Sequence, residues 1–211
     1  MTKRKMKGIL GLLVSVALCT SLVACGSKTE SKPKAGDKSA TTEAKKEVKG
    51  LDKAIAEQPI LLTSVGQSAD LEMVKALMDN AALKYNLNKV VKANEIKDEK
   101  TLVLAVGGSS KGLGAAGIKV EDELKRTEEL IKAAKDKKMT IIAVHVGGEN
   151  RRGELSDKFI KPSLENANYI IVVESGNKDG LFTNIASEKN IPMDSVKSIA
   201  DVMNPLKKAF K

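Results

Sequence analysis

Tryptophan is absent from the 211 residues, the aromatics number five (three Phe, two Tyr), histidine occurs once and cysteine twice. Each scarcity excludes something. So few rings leave little for the base-stacking platforms on which most single-strand nucleic-acid binders rely. Two cysteines allow one disulfide at most. The lone His145 stands at no compact ligand spacing from Glu149, Glu174 or Asp179, so no metal site is expected and no cofactor is implied. No apolar run is long enough to span a bilayer: the longest, Gly8 to Ser21, falls short of the about 20 residues a helix needs.

What is abundant is charge. Lys and Arg total 36 against 27 acids, a formal net charge of +9. Residues 2–7 hold four basic groups and no acid, residues 26–50 hold seven lysines and four acids, and the remainder keeps only +2. The basic excess belongs to the N-terminal end, which removes the main argument for a nucleic-acid partner.

Residues 2–7 (TKRKMK) form a basic n-region and Gly8 to Ser21 an h-region. Leu22-Val23-Ala24-Cys25-Gly26 then resembles the lipobox of bacterial lipoproteins. That resemblance implies that residues 1–24 are a signal peptide, that Cys19 leaves with it, and that Cys25 becomes the lipidated first residue. Its two acyl chains suffice for stable anchoring. The implied location is the extracytoplasmic face of the cell membrane, the membrane being a partner through the lipid. Residues 26–50 contain one valine and no larger apolar residue, too little to fold. They read as a flexible Lys-rich tether occupying residues 25–58, with an end-to-end distance of roughly 30 Å.

From residue 59 onward the pattern is that of a single α/β domain, residues 59–211. Continuous apolar runs at Ile60 to Val65, Leu102 to Val106, Thr140 to Val146 and Tyr169 to Val173 read as parallel strands covered on both faces. Lys89 to Lys92 reads as a polar edge strand. Leu71, Val74, Leu77, Met78, Ala81 and Tyr85 follow helical spacing, with Ser68 or Asp70 as cap. A second helix, Val120 to Lys137, presents Val120, Leu124, Ile131 and Ala134 on one face and pairs Glu121 with Lys125 and Asp122 with Arg126. Further helices are expected at Phe159 to Leu164, Phe182 to Ala186 and Val196 to Phe210, the last bent at Pro205. The expected fold is a Rossmann-like or flavodoxin-like domain with a mostly parallel five-stranded sheet. Its awkward link is Asn94 to Thr101, short for a parallel crossover; a single turn around Glu95 to Asp98 replaces the helix, or the strand pairs differently.

Open parallel sheets bind ligands beyond the carboxyl ends of their strands. The segments there are TSVGQS, GGSSKGLGAAG, HVGGENRRG and ESGNKDG. Glycine-rich backbone with Lys111, Arg151 and Arg152 on one edge points to a small anionic ligand, the arginine forks matching a carboxylate or phosphate. The candidate ligand-binding residues are Ser64, Gln67, Ser68, Gly107, Gly108, Ser109, Ser110, Lys111, His145, Glu149, Arg151, Arg152, Glu174, Asn177 and Asp179. Gly112 to Gly117 fits GxGxxG, but on the third strand and without the ribose acid, which argues against a dinucleotide. Gly108 to Gly112 fits GxSxG, which makes Ser110 and His145 candidate catalytic residues of a rival hydrolase reading, although the acids follow the histidine in the chain. A structural surface module is the third reading.

Together the lipobox, tether and these four stretches resemble small bacterial surface lipoproteins with an uncharacterised α/β domain. The resemblance implies location and fold, and assigns no catalytic residue.

Overall fold

The computed structural model describes residues 48–211. Cys25, the signal segment and most of the tether lie outside the described residues. Among the described residues, no helix is long and apolar enough to cross a membrane.

One sheet of six parallel strands organises the domain, in the order β2-β1-β3-β4-β5-β6. The strands are β1 (Ile60–Val65), β2 (Tyr85–Leu87), β3 (Thr101–Val106), β4 (Thr140–His145), β5 (Tyr169–Val173) and β6 (Met193–Val196). The four apolar runs are the four central strands, and every residue of β1, β3 and β5 is buried. Both edges differ from expectation. The segment pairing with β1 is Tyr85–Leu87, in register Ile60 with Tyr85 and Leu62 with Leu87, and not residues 89–92. Here the helical spacing runs on through Tyr85, whereas the helix stops at Asn80. The sixth strand, Met193–Val196, is only partly covered, with Met193 buried and Ser195 exposed, and it precedes the helix expected at Val196 to Phe210, overlapping it at Val196 alone. That helix is only Met203–Lys208, with Pro205 in its first turn, where the missing N–H costs nothing.

Helices cover both faces. On one face α1 (Asp70–Asn80) and α6 (Met203–Lys208) pack Leu71, Val74, Met78 and Leu206 against Ile60, Leu62, Val103, Val144 and Ile171. On the other, α3 (Val120–Asp136), α4 (Glu154–Glu165) and α5 (Leu181–Lys189) pack Leu130, Phe159, Ile160 and Phe182 against Leu61, Leu104, Ile141 and Ile170. Full burial of each such side chain contributes about 1.5–3 kcal/mol. The chain first winds from β1 outward to β2, then returns past β1 to β3, so the order reverses between β1 and β3. The return link, residues 88–100, holds only one 3₁₀ turn, Ala93–Glu95, with Val91 and Ile96 buried as its anchors.

Residues before 59 also belong to this unit. Leu51 and Ala56 are buried, and the segment crosses the amino edge of the sheet: Lys49 O accepts from Met193 N (2.9 Å), Glu57 O from Thr101 Oγ1 (2.7 Å), and Gln58 Oε1 from Lys84 N (2.9 Å). The folded unit therefore starts earlier than the compositional boundary suggests, because Leu51, Ile55 and Ala56 supply apolar contacts.

Helix α3 is rotated from the predicted face. Glu123 is fully buried with Thr127, Leu130, Ile131 and Ala134, while Val120 and Leu124 are only partly covered. Arg126 pairs with Glu123, not Asp122: its Nη2 and Nε donate to the two carboxylate oxygens at 2.8 Å each. The same guanidinium donates to Ser64 O (2.6 Å) and Val91 O (2.9 Å). One buried ion pair thus pins β1 to the helix-free return link.

Candidate functional site: four loops at the carboxyl edge

The turns after β1, β3, β4 and β5 meet at one edge, and their glycines are first of all points of contact between loops. A Cβ on Gly108 would stand 2.9 Å from Ser156 Cα, and one on Gly112 would stand 1.7 Å from Gln67 O. Gly108 N donates to Ser156 Oγ at 3.0 Å, tying the loop to the first turn of α4. Much of GGSSKGLGAAG is therefore glycine because two loops and a helix start approach too closely for a side chain.

Several candidate residues carry structural duties. Gln67 donates through Nε2 to Lys89 O (3.1 Å) and Glu123 Oε1 (2.9 Å), while Gly66 N donates to the same oxygen. Ser109 caps α2 (Ser110–Ala116), accepting from Gly112 N. Asn177 caps α5 through Phe182 N at 2.9 Å and donates to Thr183 Oγ1 at 2.7 Å. Glu149 pairs with Lys178, and Glu174 is exposed. Ser64 Oγ is buried and has no hydrogen-bond partner among the described residues. Ser110 and Lys111 are exposed at the start of α2, with no hydrogen bond or ion pair among the described residues.

His145 is buried on β4, its ring 5.2 Å from that of Phe182. Nδ1 lies 2.9 Å from Val106 O and Nε2 3.3 Å from Gly148 O. A neutral imidazole donates to one of these carbonyls, and only the doubly protonated ring donates to both. In either state both nitrogens face backbone carbonyls. No hydrogen bond joins His145 to Ser110, and Ser110 is absent from the residues with positive φ, so the strained turn of a nucleophile elbow is not formed.

The residue at this edge that the sequence reading passes over is Asp70, considered only as a cap. Ser68 Oγ accepts from Asp70 N at 3.2 Å, and the Asp70 carboxylate turns inward at the point where the strand order reverses. It is fully buried, accepting from Gly147 N (3.1 Å) and from Arg151 Nε (3.3 Å). Burial pushes its pKa up from the ordinary 3.8, partly opposed by the neighbouring His145 ring and Arg151 guanidinium and by the Ser68 hydrogen bond. An acid at the first position of a helix, two residues after a serine, is the only trace of this in the sequence.

Arg151 and Arg152 are adjacent and differently engaged. Arg152 donates to both oxygens of Asp157 and of Asp179, and to Gly176 O, and its guanidinium lies 5.5 Å over the Phe182 ring. The Arg152 hydrogen bond holds the Asp179 carboxyl down at about 2. With Glu149, Gly153, Ser175 and Lys178 these groups line a cleft of about 300 Å³. An anion approaching Arg152 must displace a carboxylate. Arg151 spends only Nε, on Asp70, and is one-third exposed; Nη1 and Nη2 make no hydrogen bond among the described residues.

Among the described residues no three His, Cys, Asp or Glu side chains converge as a metal site. A family model described as "Domain of unknown function (DUF6305)" matches residues 57–210. No curated protein matches. Solved structures similar to the chain include the psychrotrophic esterase EstA from Pseudoalteromonas sp. (15% identity, 64% of this chain and 75% of that one, TM-score 0.28). A mutant of the esterase AlinE4 is 8% identical over 66% and 77%, TM-score 0.28. The YdjI aldolase from Escherichia coli K12 is 10% identical over 71% and 86%, TM-score 0.18.

Proposed function

The chain belongs to the DUF6305 family, domains of unknown function, and from that premise we propose a lipid-anchored extracytoplasmic protein that binds a small anionic ligand at the carboxyl edge of its sheet. The observation that carries the binding reading is Arg151. Its Nε is tethered by a buried carboxylate while its two Nη groups make no hydrogen bond among the described residues, on a side chain one-third exposed beside the reversal between β1 and β3. A fork held in this way suits bidentate capture of a carboxylate or phosphate. The strand order supports the flavodoxin-like reading, in which ligands sit at the β1/β3 switch point. Lys111 and the Ser110 hydroxyl, exposed at the same edge and without a hydrogen bond among the described residues, would contribute charge and a hydrogen bond. Arg152 is removed from the contact set: it holds the β4 and β5 loops together and so shapes the edge on which Arg151 stands. Anchoring rests on the lipobox resemblance at Cys25.

The test is a thermal-shift panel of residues 48–211 against phosphates, nucleotides and carboxylates. A ligand at a hundredfold its Kd adds about 2.7 kcal/mol, a rise of several degrees. Arg151→Ala is expected to abolish the rise, and a flat panel sinks the reading. Acyl labelling of the full chain, lost in Cys25→Ser, checks the anchor. A serine-reactive phosphonate that labels the protein and fails on Ser110→Ala would restore the hydrolase alternative, which the geometry of Ser110 and His145 does not favour.

A further inference from the structure

In an α/β sheet of this kind the amino ends of the strands and the carboxyl ends of the helices share one edge. Here that edge comprises residues 48–59, 81–84, 96–100, 135–139, 165–168, 188–192 and 207–211, and it holds twelve lysines against seven acids. The opposite edge, residues 66–72, 88–95, 107–111, 117–123, 146–158, 174–180 and 197–201, holds nine basic residues against twelve acids. A domain that is nearly neutral as a whole is therefore polar along the strand direction. Lysines in last helical turns, such as Lys135, Lys189 and Lys208, complement the helix dipole and need no other reason. That explanation does not reach Lys53, Lys84, Lys97 and Lys100, which sit on no helix end and are all exposed. Of the twelve lysines, only Lys211 has its ammonium within 4 Å of a carboxylate oxygen among the described residues, pairing with Glu57.

The chain enters the domain at this same edge, with Lys49 hydrogen-bonded to the first residue of β6. We infer that the basic amino edge is a docking surface for an anionic phospholipid bilayer, seating the domain so that the Arg151 edge faces away from the lipid. The inference rests on the anchored reading for its setting and on charge complementarity for its partner. Each lysine brought near an anionic bilayer surface strengthens partition by about fivefold, within a Debye length of about 8 Å at physiological salt.

Residues 48–211 enclose both apolar cores and so fold without the anchor, which lets the surface be tested with lipidation removed. Co-sedimentation of residues 48–211 with phosphatidylcholine vesicles containing phosphatidylglycerol is expected at low salt, falling as salt rises, with no binding to phosphatidylcholine alone. The triple variant Lys53→Glu, Lys84→Glu, Lys100→Glu is expected to weaken partition by at least about a hundredfold, the loss of three lysines alone accounting for that factor. The opposite-edge variant Lys92→Glu, Lys119→Glu, Lys197→Glu makes the same net-charge change and is expected to stay within about twofold of wild type. Melting curves of both variants report folding. Binding to neutral vesicles, equal loss in the two variants, or no binding of the wild type to anionic vesicles overturns the inference. Loss of acyl label at Cys25 in the full chain is a separate readout and bears on the anchor alone.

Discussion

Arg151 and Arg152 share a loop and a charge, and the fold uses them differently. Arg152 makes five hydrogen bonds and lies over an aromatic face, its guanidinium spent on joining the β4 loop to α4 and to the β5 loop. Arg151 makes one, of 3.3 Å, longer than the about 2.7–2.9 Å of a strong charge-assisted bond. A sequence reading sees two equivalent anion-binding forks. The structure shows that a cation is a ligand group only to the extent that carboxylates of its own chain leave it free. Glu123 and Arg126 stand with Arg152 on the spent side: their pair closes the space between β1, the return link and α3.

The contrast is broken most severely at that closed pair. Arg126→Ala leaves Glu123 buried and uncompensated, and removal of one partner of a buried pair costs about 3–5 kcal/mol. Differential scanning calorimetry is expected to show a Tm drop of about 6–20 °C. A drop under about 2 °C would mean that the pair is not closed in solution.

Arg152→Ala comes next, at about 2–3 kcal/mol in urea unfolding, because its carboxylate partners are partly exposed and find water. Its pH dependence has a definite sign. Asp179 is held below its ordinary 3.8, so the pair contributes stability above about pH 4 and loses it as pH falls toward about 2. The wild-type advantage over Arg152→Ala should therefore shrink across that window and stay flat at neutral pH. A constant difference down to pH 2 would detach Asp179 from the effect.

Arg151→Ala is expected to cost about 1–2 kcal/mol of stability, since a single long contact is lost, Gly147 N still donates to Asp70, and burial already favours the protonated form of that carboxyl. Its expected effect is on ligand binding. If instead it destabilises as much as Arg152→Ala while any ligand shift survives, the two arginines are both structural and the proposed function fails.

The fold was legible wherever burial on both faces writes a continuous apolar run, as in Leu102 to Val106 and Tyr169 to Val173. It was not legible at the edges, where Tyr85–Leu87 and Met193–Val196 are short, half-exposed and polar enough to pass for helix or turn. The glycine-rich turns do mark the carboxyl edge, but glycine signals close approach without saying what approaches. At Gly108 the neighbour is α4, and at Gly112 it is the β1 loop. Asp70 and Glu123 were hidden for one reason. An acid in a helix's first turn has a sufficient local explanation in the dipole, so nothing in the sequence asks for the tertiary partner that each one has.

The smallest expected effect sharpens the distinction between polar groups that the fold uses and those it tolerates. Ser64 carries its hydroxyl on the face of β1 that α1 covers, beside Ala105 in register, and its Oγ is buried without a partner among the described residues. Its backbone carbonyl, by contrast, accepts from Arg126. Burying an unsatisfied hydroxyl is unfavourable, whereas removing it leaves only a hydroxyl-sized gap and breaks no hydrogen bond. Ser64→Ala is therefore expected to leave stability unchanged or raise it by up to about 1 kcal/mol in urea unfolding. A loss above about 1 kcal/mol would show that the hydroxyl holds a bound water or a ligand group at the switch point, and would return Ser64 to the binding residues beside Arg151.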